Sequence, residues 1–284
     1  MKELKILAIV VFFTALVYIG VEPFAHSQMH PHVAPADFAF KDLESLHVKG
    51  DKERGMELVQ THCIACHGLK TQGFPDPLPP TEAALAYGVV PPDLSTAGVL
   101  YDANYLAAFL KDPLKASELS HKFNEAKPYP MPSYNWMSEQ EIADMLAYFS
   151  SIAPQELLGK EAFKDACGRC HSMKYDALRA QTPNAQMMAY LGAEAPDVSM
   201  MIRSKKEPYL QTFINQPLKM IEGVAMPRVG LKEEAQKSII AYMEHVGDRK
   251  KVERETVGYY LIGFMVIFTL FAYLWKVKIW KEVE

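Results

Sequence analysis

Cys63-Ile64-Ala65-Cys66-His67 and Cys167-Gly168-Arg169-Cys170-His171 hold all four cysteines of this 284-residue chain, in two copies of one pattern, C-x-x-C-H. In that pattern two thiols add to the vinyl groups of one haem, and the histidine beside them meets the iron as an axial ligand. Two copies predict two covalently bound haem c groups. Three other chemistries use the same residues. Zinc needs both cysteine pairs in one tetrahedral set, and these pairs stand 104 residues apart. A thioredoxin-like redox pair needs a strand and helix around it, whereas Gly55 to His62 and Gly159 to Ala166 read as short helical run-ups. A disulfide between cysteines three apart is strained, and no further cysteine remains to pair with.

An internal repeat supports the second site. A shift of 104 residues aligns Gly55 with Gly159, Cys63 with Cys167, His67 with His171, Pro92 with Pro196, Asp93 with Asp197 and Ser95 with Ser199. The same register pairs Tyr105, Phe109, Pro113 and Leu114 with Tyr209, Phe213, Pro217 and Leu218. It then slips by nine residues, so that Met131-Pro132 meets Met226-Pro227, and the extra length falls in the polar Asn124 to Pro130 stretch. Each copy reads as one small domain.

A haem iron held by one histidine takes a second ligand from further along the chain, and Met131 and Met226 are the candidates. A thioether is a soft, weak donor that favours ferrous iron and lifts the potential into the range of an electron carrier. Most methionines are core filler, and this chain has 15. These two are singled out by repeat position, by the following proline, and by the helices expected just downstream, Glu139 to Ser151 and Lys232 to Val246. Met137 and Met220 are the alternatives.

With these residues in view, both halves resemble class I cytochrome c domains, over roughly residues 45 to 247. The resemblance implies an all-α fold: two tandem class I cytochrome c domains with terminal transmembrane helices. It also implies that a proline carbonyl after the attachment site accepts a hydrogen bond from the ligand histidine, which assigns that role to Pro92 and Pro196. A plain Pro-Asp turn opening a helix is the other reading of the same residues. The Pro-Asp-Leu-Ser and Pro-Asp-Val-Ser stretches further resemble the membrane-anchored cytochrome c subunit of quinol:cytochrome c oxidoreductases. There a basic residue follows near a haem propionate. Arg203 stands at that place in the second copy and Val99 in the first. An arginine followed by Lys205 and Lys206 equally describes a solvated basic loop.

Val257 to Trp275 is 19 residues without a charge, with Tyr259, Tyr260, Tyr273, Trp275 and Trp280 near its margins. At about 1.5 Å per residue it nearly matches a hydrocarbon core of about 30 Å, and the aromatics suit its interfaces. Ile6 to Val21 is uncharged for 16 residues after Lys2 and Lys5 and lacks a clear A-x-A site, which favours a retained signal anchor over a cleaved signal peptide. Haem c attachment, by the family resemblance, occurs outside the bacterial cytoplasmic membrane. Residues from roughly 26 to 255 are then expected in the periplasm, with Lys276, Lys278 and Lys281 inside. Thirty basic against 34 acidic residues leave a net charge of −4 and no footprint for nucleic acid.

The expected layout is an anchor over 1–22, a solvated His- and Pro-rich tether over 23–48, and haem domains over 49–152 and 153–247. A charge-paired stalk over 248–256 and a transmembrane helix over 257–280 complete it. His26, His30, His32 and His47 in the tether leave metal binding open, and His62 reads as structural. The resemblance implies an electron-transfer subunit without a catalytic constellation. It would take electrons from the Rieske iron-sulfur protein of a quinol-oxidising complex that also contains cytochrome b, and pass them to a soluble cytochrome c or a terminal oxidase. The alternative is the dihaem subunit of a cbb-type cytochrome oxidase, whose anchors are expected ahead of the haem domains.

Overall fold

A computed structural model describes residues 2–29, 33–205 and 207–283. His30, His32 and Lys206 lie outside the described residues. Among the described residues the regular structure is helical, and the only β pairing is in isolated bridges.

The two copies share one hydrogen-bond skeleton. In the first, Lys52–His62 starts at Asp51, whose carboxylate accepts from the N–H groups of Glu53 (2.9 Å) and Arg54 (3.3 Å). It packs across Glu139–Ile152, which begins in a capping box of Ser138 and Glu141. In the second, Gly159–Ala166 packs across Glu233–Gly247. The crossing explains the repeat's glycine. A Cβ on Gly55 would sit 2.0 Å from the Asp144 carbonyl oxygen, and one on Gly159 would sit 2.5 Å from that of Ser238. Leu69 bridges Phe74 as Met173 bridges Leu178. Tyr134 N–H donates to the Leu110 carbonyl (2.9 Å) as Val229 N–H donates to that of Ile214 (3.3 Å), which carries the nine-residue slip into three dimensions.

Each helix pair closes over its own apolar cluster, one around Val59, Cys63, Ile142 and Phe149, the other around Phe163, Met173, Leu231 and Ile239. The copies are also fastened to each other. Asp102 N–H donates to the Gly230 carbonyl and Lys232 N–H to that of Leu100, each at 2.9 Å, around a Tyr101–Leu231 bridge. The Tyr105 hydroxyl donates to the Arg228 carbonyl at 2.6 Å. The inserted stretch is part of this junction: Phe123 and Tyr129 pack on Tyr190, in a cluster with Met187 and Leu191. Lys127 Nζ donates to the Ala189 carbonyl at 2.8 Å.

The expected solvated tether is corrected in its second half. Residues 34–47 form a strap over both copies. Phe40 is fully buried beside Tyr105, and Asp42 accepts two hydrogen bonds from the buried guanidinium of Arg228, at 2.6 and 2.8 Å. The Ala34 carbonyl accepts from Thr212 Oγ1 (2.7 Å), and Leu46 and His47 N–H groups donate to Asn104 and Glu139. Periodic polarity hid this, because the strap is held by side-chain acceptors and one aromatic rather than by an amphipathic stripe.

At the ends, Lys2–Ala15, Leu16–Val21 and Glu22–Met29 follow one another as α, π and α turns, and Lys251–Val283 is a single 33-residue helix. Leu4–Gln28 and Lys251–Lys281 are long and apolar enough to cross a membrane, and in neither is the apolar window buried inside the protein. The arrangement fits a membrane-anchored protein. Arg254 forks onto Asp248 (2.6 and 2.8 Å) and Lys250 meets Glu253 (2.7 Å), so the charges leading into the C-terminal helix are paired.

Candidate haem-binding sites

Both C-x-x-C-H segments follow directly on a helix and wind through one further turn. His67 N–H donates to the Cys63 carbonyl (3.0 Å) and His171 N–H to that of Cys167 (2.8 Å). Cys63 is buried in the first apolar cluster, Cys167 packs on the second, and Cys170 on the cluster at the junction. None of the four is in a disulfide. Burial pushes the Cys63 and Cys167 thiols up to about 12. Neutral thiols in an apolar wall suit conversion to uncharged thioethers better than thiolate ligation of a metal. Among the described residues no group of three or more His, Cys, Asp and Glu side chains is gathered to hold a metal ion.

The histidines are oriented identically. His67 Nδ1 lies 2.8 Å from the Pro92 carbonyl oxygen and His171 Nδ1 lies 2.9 Å from that of Pro196. A carbonyl accepts only, so Nδ1 carries the proton and Nε2 keeps its lone pair for a ligand role. Burial lowers the pKa of both imidazoles, which keeps them neutral as ligation requires.

The Pro-Asp-x-Ser stretches hold those carbonyls in place, so the turn reading and the carbonyl reading are both true. Leu94 N–H donates to the Gly68 carbonyl (2.9 Å) and Val198 N–H to that of Ser172 (3.0 Å), tying each loop to the residue after its histidine. Asp93 and Asp197 accept from the N–H groups of Ser95 (2.8 Å) and Ser199 (3.2 Å). The buried serines in turn accept from the N–H groups of Thr71 (3.1 Å) and Tyr175 (3.2 Å).

Met131 lies against the cluster that contains Cys63, and Met226 against the one on which Cys167 packs. Met137 is fully inside the first cluster, with its N–H on the Tyr134 carbonyl. His62 is braced as expected: its carbonyl accepts from the Tyr134 hydroxyl (2.9 Å) and its ring meets Trp136 edge-on. Arg203 faces the stalk, with Nε 4.0 Å from Asp248 Oδ1.

Sequence reasoning passed over Arg169. Its Nη1 reaches the Val90 carbonyl of the first copy at 3.5 Å, and its Nε is buried without a hydrogen-bond partner. The signal was available inside the motif itself, because the two variable positions read Ile64-Ala65 in one copy and Gly168-Arg169 in the other.

These features fit haem c: paired cysteines one turn apart, an imidazole braced through Nδ1, an apolar wall, and a methionine against the same wall. Bound there, haem c supplies reversible one-electron storage. Cys63, Cys66 and His67 would hold one group and Cys167, Cys170 and His171 the other.

The description "Cytochrome c" belongs to the family whose sequence profile matches residues 52–153 and 157–247. The chain is 24% identical over 138 residues to a "Cytochrome c-553-like" protein of Synechocystis sp., covering 49% of this chain and 95% of that one. It is also similar, at 18% identity and a TM-score of 0.33, to a chain of a structure titled "Hyperthermophilic respiratory Complex III", over 98% of this chain and 99% of that chain. With the family profile met twice and both braced C-x-x-C-H turns in place, the chain belongs to the cytochrome c family and carries two tandem domains of it.

Proposed function

We propose that this chain binds two haem c groups and passes single electrons as the membrane-anchored dihaem cytochrome subunit of a cytochrome bc complex. The observation that carries the reading is the repeated turn with its braced imidazole, set in a chain with a membrane-length helix at each end. On this reading Met131 and Met226 complete the two iron sites. The haem domains occupy the periplasm of a bacterial inner membrane, a Rieske iron-sulfur protein paired with cytochrome b delivers electrons, and a cytochrome c or terminal oxidase accepts them.

This chain's own residues do four things in that role. Cysteines fix the groups covalently, Pro92 and Pro196 hold each histidine at one rotation, the apolar clusters exclude water, and the terminal helices confine transfer to the membrane surface. Rigid, dry sites change little between oxidation states, which is what fast single-electron exchange requires.

Purification of the intact chain from its own membranes, with pyridine haemochrome quantification and identification of co-purifying subunits, tests the proposal. Two haems per chain together with cytochrome b and a Rieske protein are expected. One haem, or association with a haem-copper oxidase core instead, refutes it.

A further inference from the structure

The two copies pack head to tail. The second copy brings to the junction its attachment turn and the segment ahead of its closing helix. There Asp165 accepts from Thr96 Oγ1 (2.8 Å) and Arg169 Nη1 reaches the Val90 carbonyl (3.5 Å). Arg228 N–H donates to the Ser117 carbonyl (2.9 Å), and Leu231 is fully buried against Tyr101. Cys170 and Tyr190 pack beside them. The first copy brings a different face, Val90 to Tyr105 with the inserted stretch. An interface of unlike faces is not used up by one pairing. The first copy's own version of the face that the second copy uses is left over.

In the repeat register that leftover face is Thr61, Ala65, Cys66, Ala86, Ser133 and Trp136, the counterparts of Asp165, Arg169, Cys170, Tyr190, Arg228 and Leu231. All six are exposed, and Trp136 is 63% exposed where Leu231 is 0%. Three charged side chains of the junction are here threonine, alanine and serine, so none of the six is charged. The tryptophan is braced. Its ring meets His62 edge-on with centroids 5.5 Å apart, and the Tyr134 hydroxyl donates to the His62 carbonyl (2.9 Å), one residue ahead of Cys63. A braced aromatic anchor on an uncharged face suits a partner that docks and leaves.

A second copy of this chain does not fit there. Where the first copy brings Val90 and Tyr101 to the junction, the second has Glu194 and Lys205, and it lacks the inserted stretch that carries Tyr129. Gly230 makes room for the Tyr105 ring, which a Cβ at that glycine would strike, and the first copy has Asn135 in its place. The stack therefore ends after two. The class of partner follows from what the matching face already holds, a cytochrome c domain laid over a motif cysteine.

We propose that the face around Cys66 and Trp136 is where a cytochrome c domain of a separate protein docks, seated on the first copy as the first copy is seated on the second. The proposal rests on the two-haem reading above, in which Cys66 is bonded to the first haem, so a docked partner touches a residue bonded to that group. One electron crosses, one site being oxidised as the other is reduced, and no bond is made or broken.

A photo-crosslinking residue in place of Asn135, in the full-length chain in its own cells, tests the proposal, with the same residue in place of exposed Tyr175 on the second copy as the control. After irradiation, peptide sequencing by mass spectrometry should find a C-x-x-C-H protein other than this chain joined at the Asn135 position and absent at the Tyr175 position. With that protein purified, stopped-flow absorbance should show its electron exchange with the Trp136→Ala chain slowed about tenfold at unchanged haem content, as loss of one aromatic anchor entails. Peptides of this chain at the Asn135 position, peptides of a protein without the motif, no adduct, or an unslowed exchange overturns it. The cross-link needs no change at Trp136, so a misfolded variant leaves the proposal exposed to refutation. Haem quantification on the same preparation keeps the two readings apart: fewer than two haems per chain refutes the function proposed above, whereas the cross-link reports docking alone.

Discussion

Arg228→Met tests whether the strap is a structural member of the junction. Arg228 is buried and forks onto Asp42, with Glu118 3.7 Å away and the Phe40 ring under its guanidinium at 4.9 Å. Methionine keeps most of the volume and removes the charge. Charge-assisted hydrogen bonds contribute about 1.5–3 kcal/mol each. The Asp42 side chain is 51% exposed, so solvent screening cuts the pair to about 2 kcal/mol in total. Burial pushes the Glu118 carboxyl up and Arg228 pulls it down, so losing the arginine raises it further. The residue that reports strap opening is Lys41, exposed and adjacent to Asp42. If cleavage follows the open population, trypsin should cut after Lys41 about 30-fold faster in R228M than in the native chain. Mass spectrometry of timed digests locates the cut. An unchanged rate at Lys41 with R228M folded and fully loaded refutes the claim that this pair holds the strap.

Gly159→Ala places a Cβ 2.5 Å from the Ser238 carbonyl and 2.8 Å from Tyr242 Cβ, so it should cost about 1–3 kcal/mol by prising the helix pair apart, read by thermal melting. Ser199→Ala strips the buried acceptor from Tyr175 N–H and should cost about 1–3 kcal/mol, read by urea titration against native protein, with the second site's spectrum perturbed and the first unmoved. The hydrogen bonds from Arg228 hold the Asp42 carboxyl below its ordinary 3.8; its stabilising contribution is complete above that value and lost as pH falls through the lower folded one. Protection of Lys41 from an acid-active protease should fall along that limb, and D42N should flatten it. Met131→Ala and Met226→Ala should each convert one iron site to a high-spin spectrum and leave the other; loss of neither would move the ligand role to Met137 or Met220.

Local chemistry was the legible part of this chain. C-x-x-C-H, Pro-Asp-x-Ser and the repeat register are patterns in the sequence itself, and each reappears as a contact in the structure: the His-Pro bond, the serine acceptor, the paired helix crossings at Gly55 and Gly159. The helix after each candidate methionine was legible for the same reason, since its apolar face is written in its own residues, with a capping box of Ser138 and Glu141 at the start of the first. Contacts between the copies were not. Nothing in the Asn124 to Pro130 stretch announces that Tyr129 within it and Phe123 just before it fill a cluster with Tyr190 some sixty residues on. A polar tether and a strap share a composition; only the buried Arg228 far along the chain tells them apart.

Where the repeats agree and where they differ divides the molecule by task. The matched residues build the sites: cysteine, histidine, proline, aspartate, serine and the crossing glycine stand in register in both copies. The unmatched ones build the junction. Arg169 stands against Ala65, the inserted stretch packs Tyr129 on Tyr190 of the second copy, and Arg228, which takes the strap, stands where the first copy has Ser133. Two free-standing copies would share the site residues and lack this junction, so the residues that differ between the copies are the ones that join them.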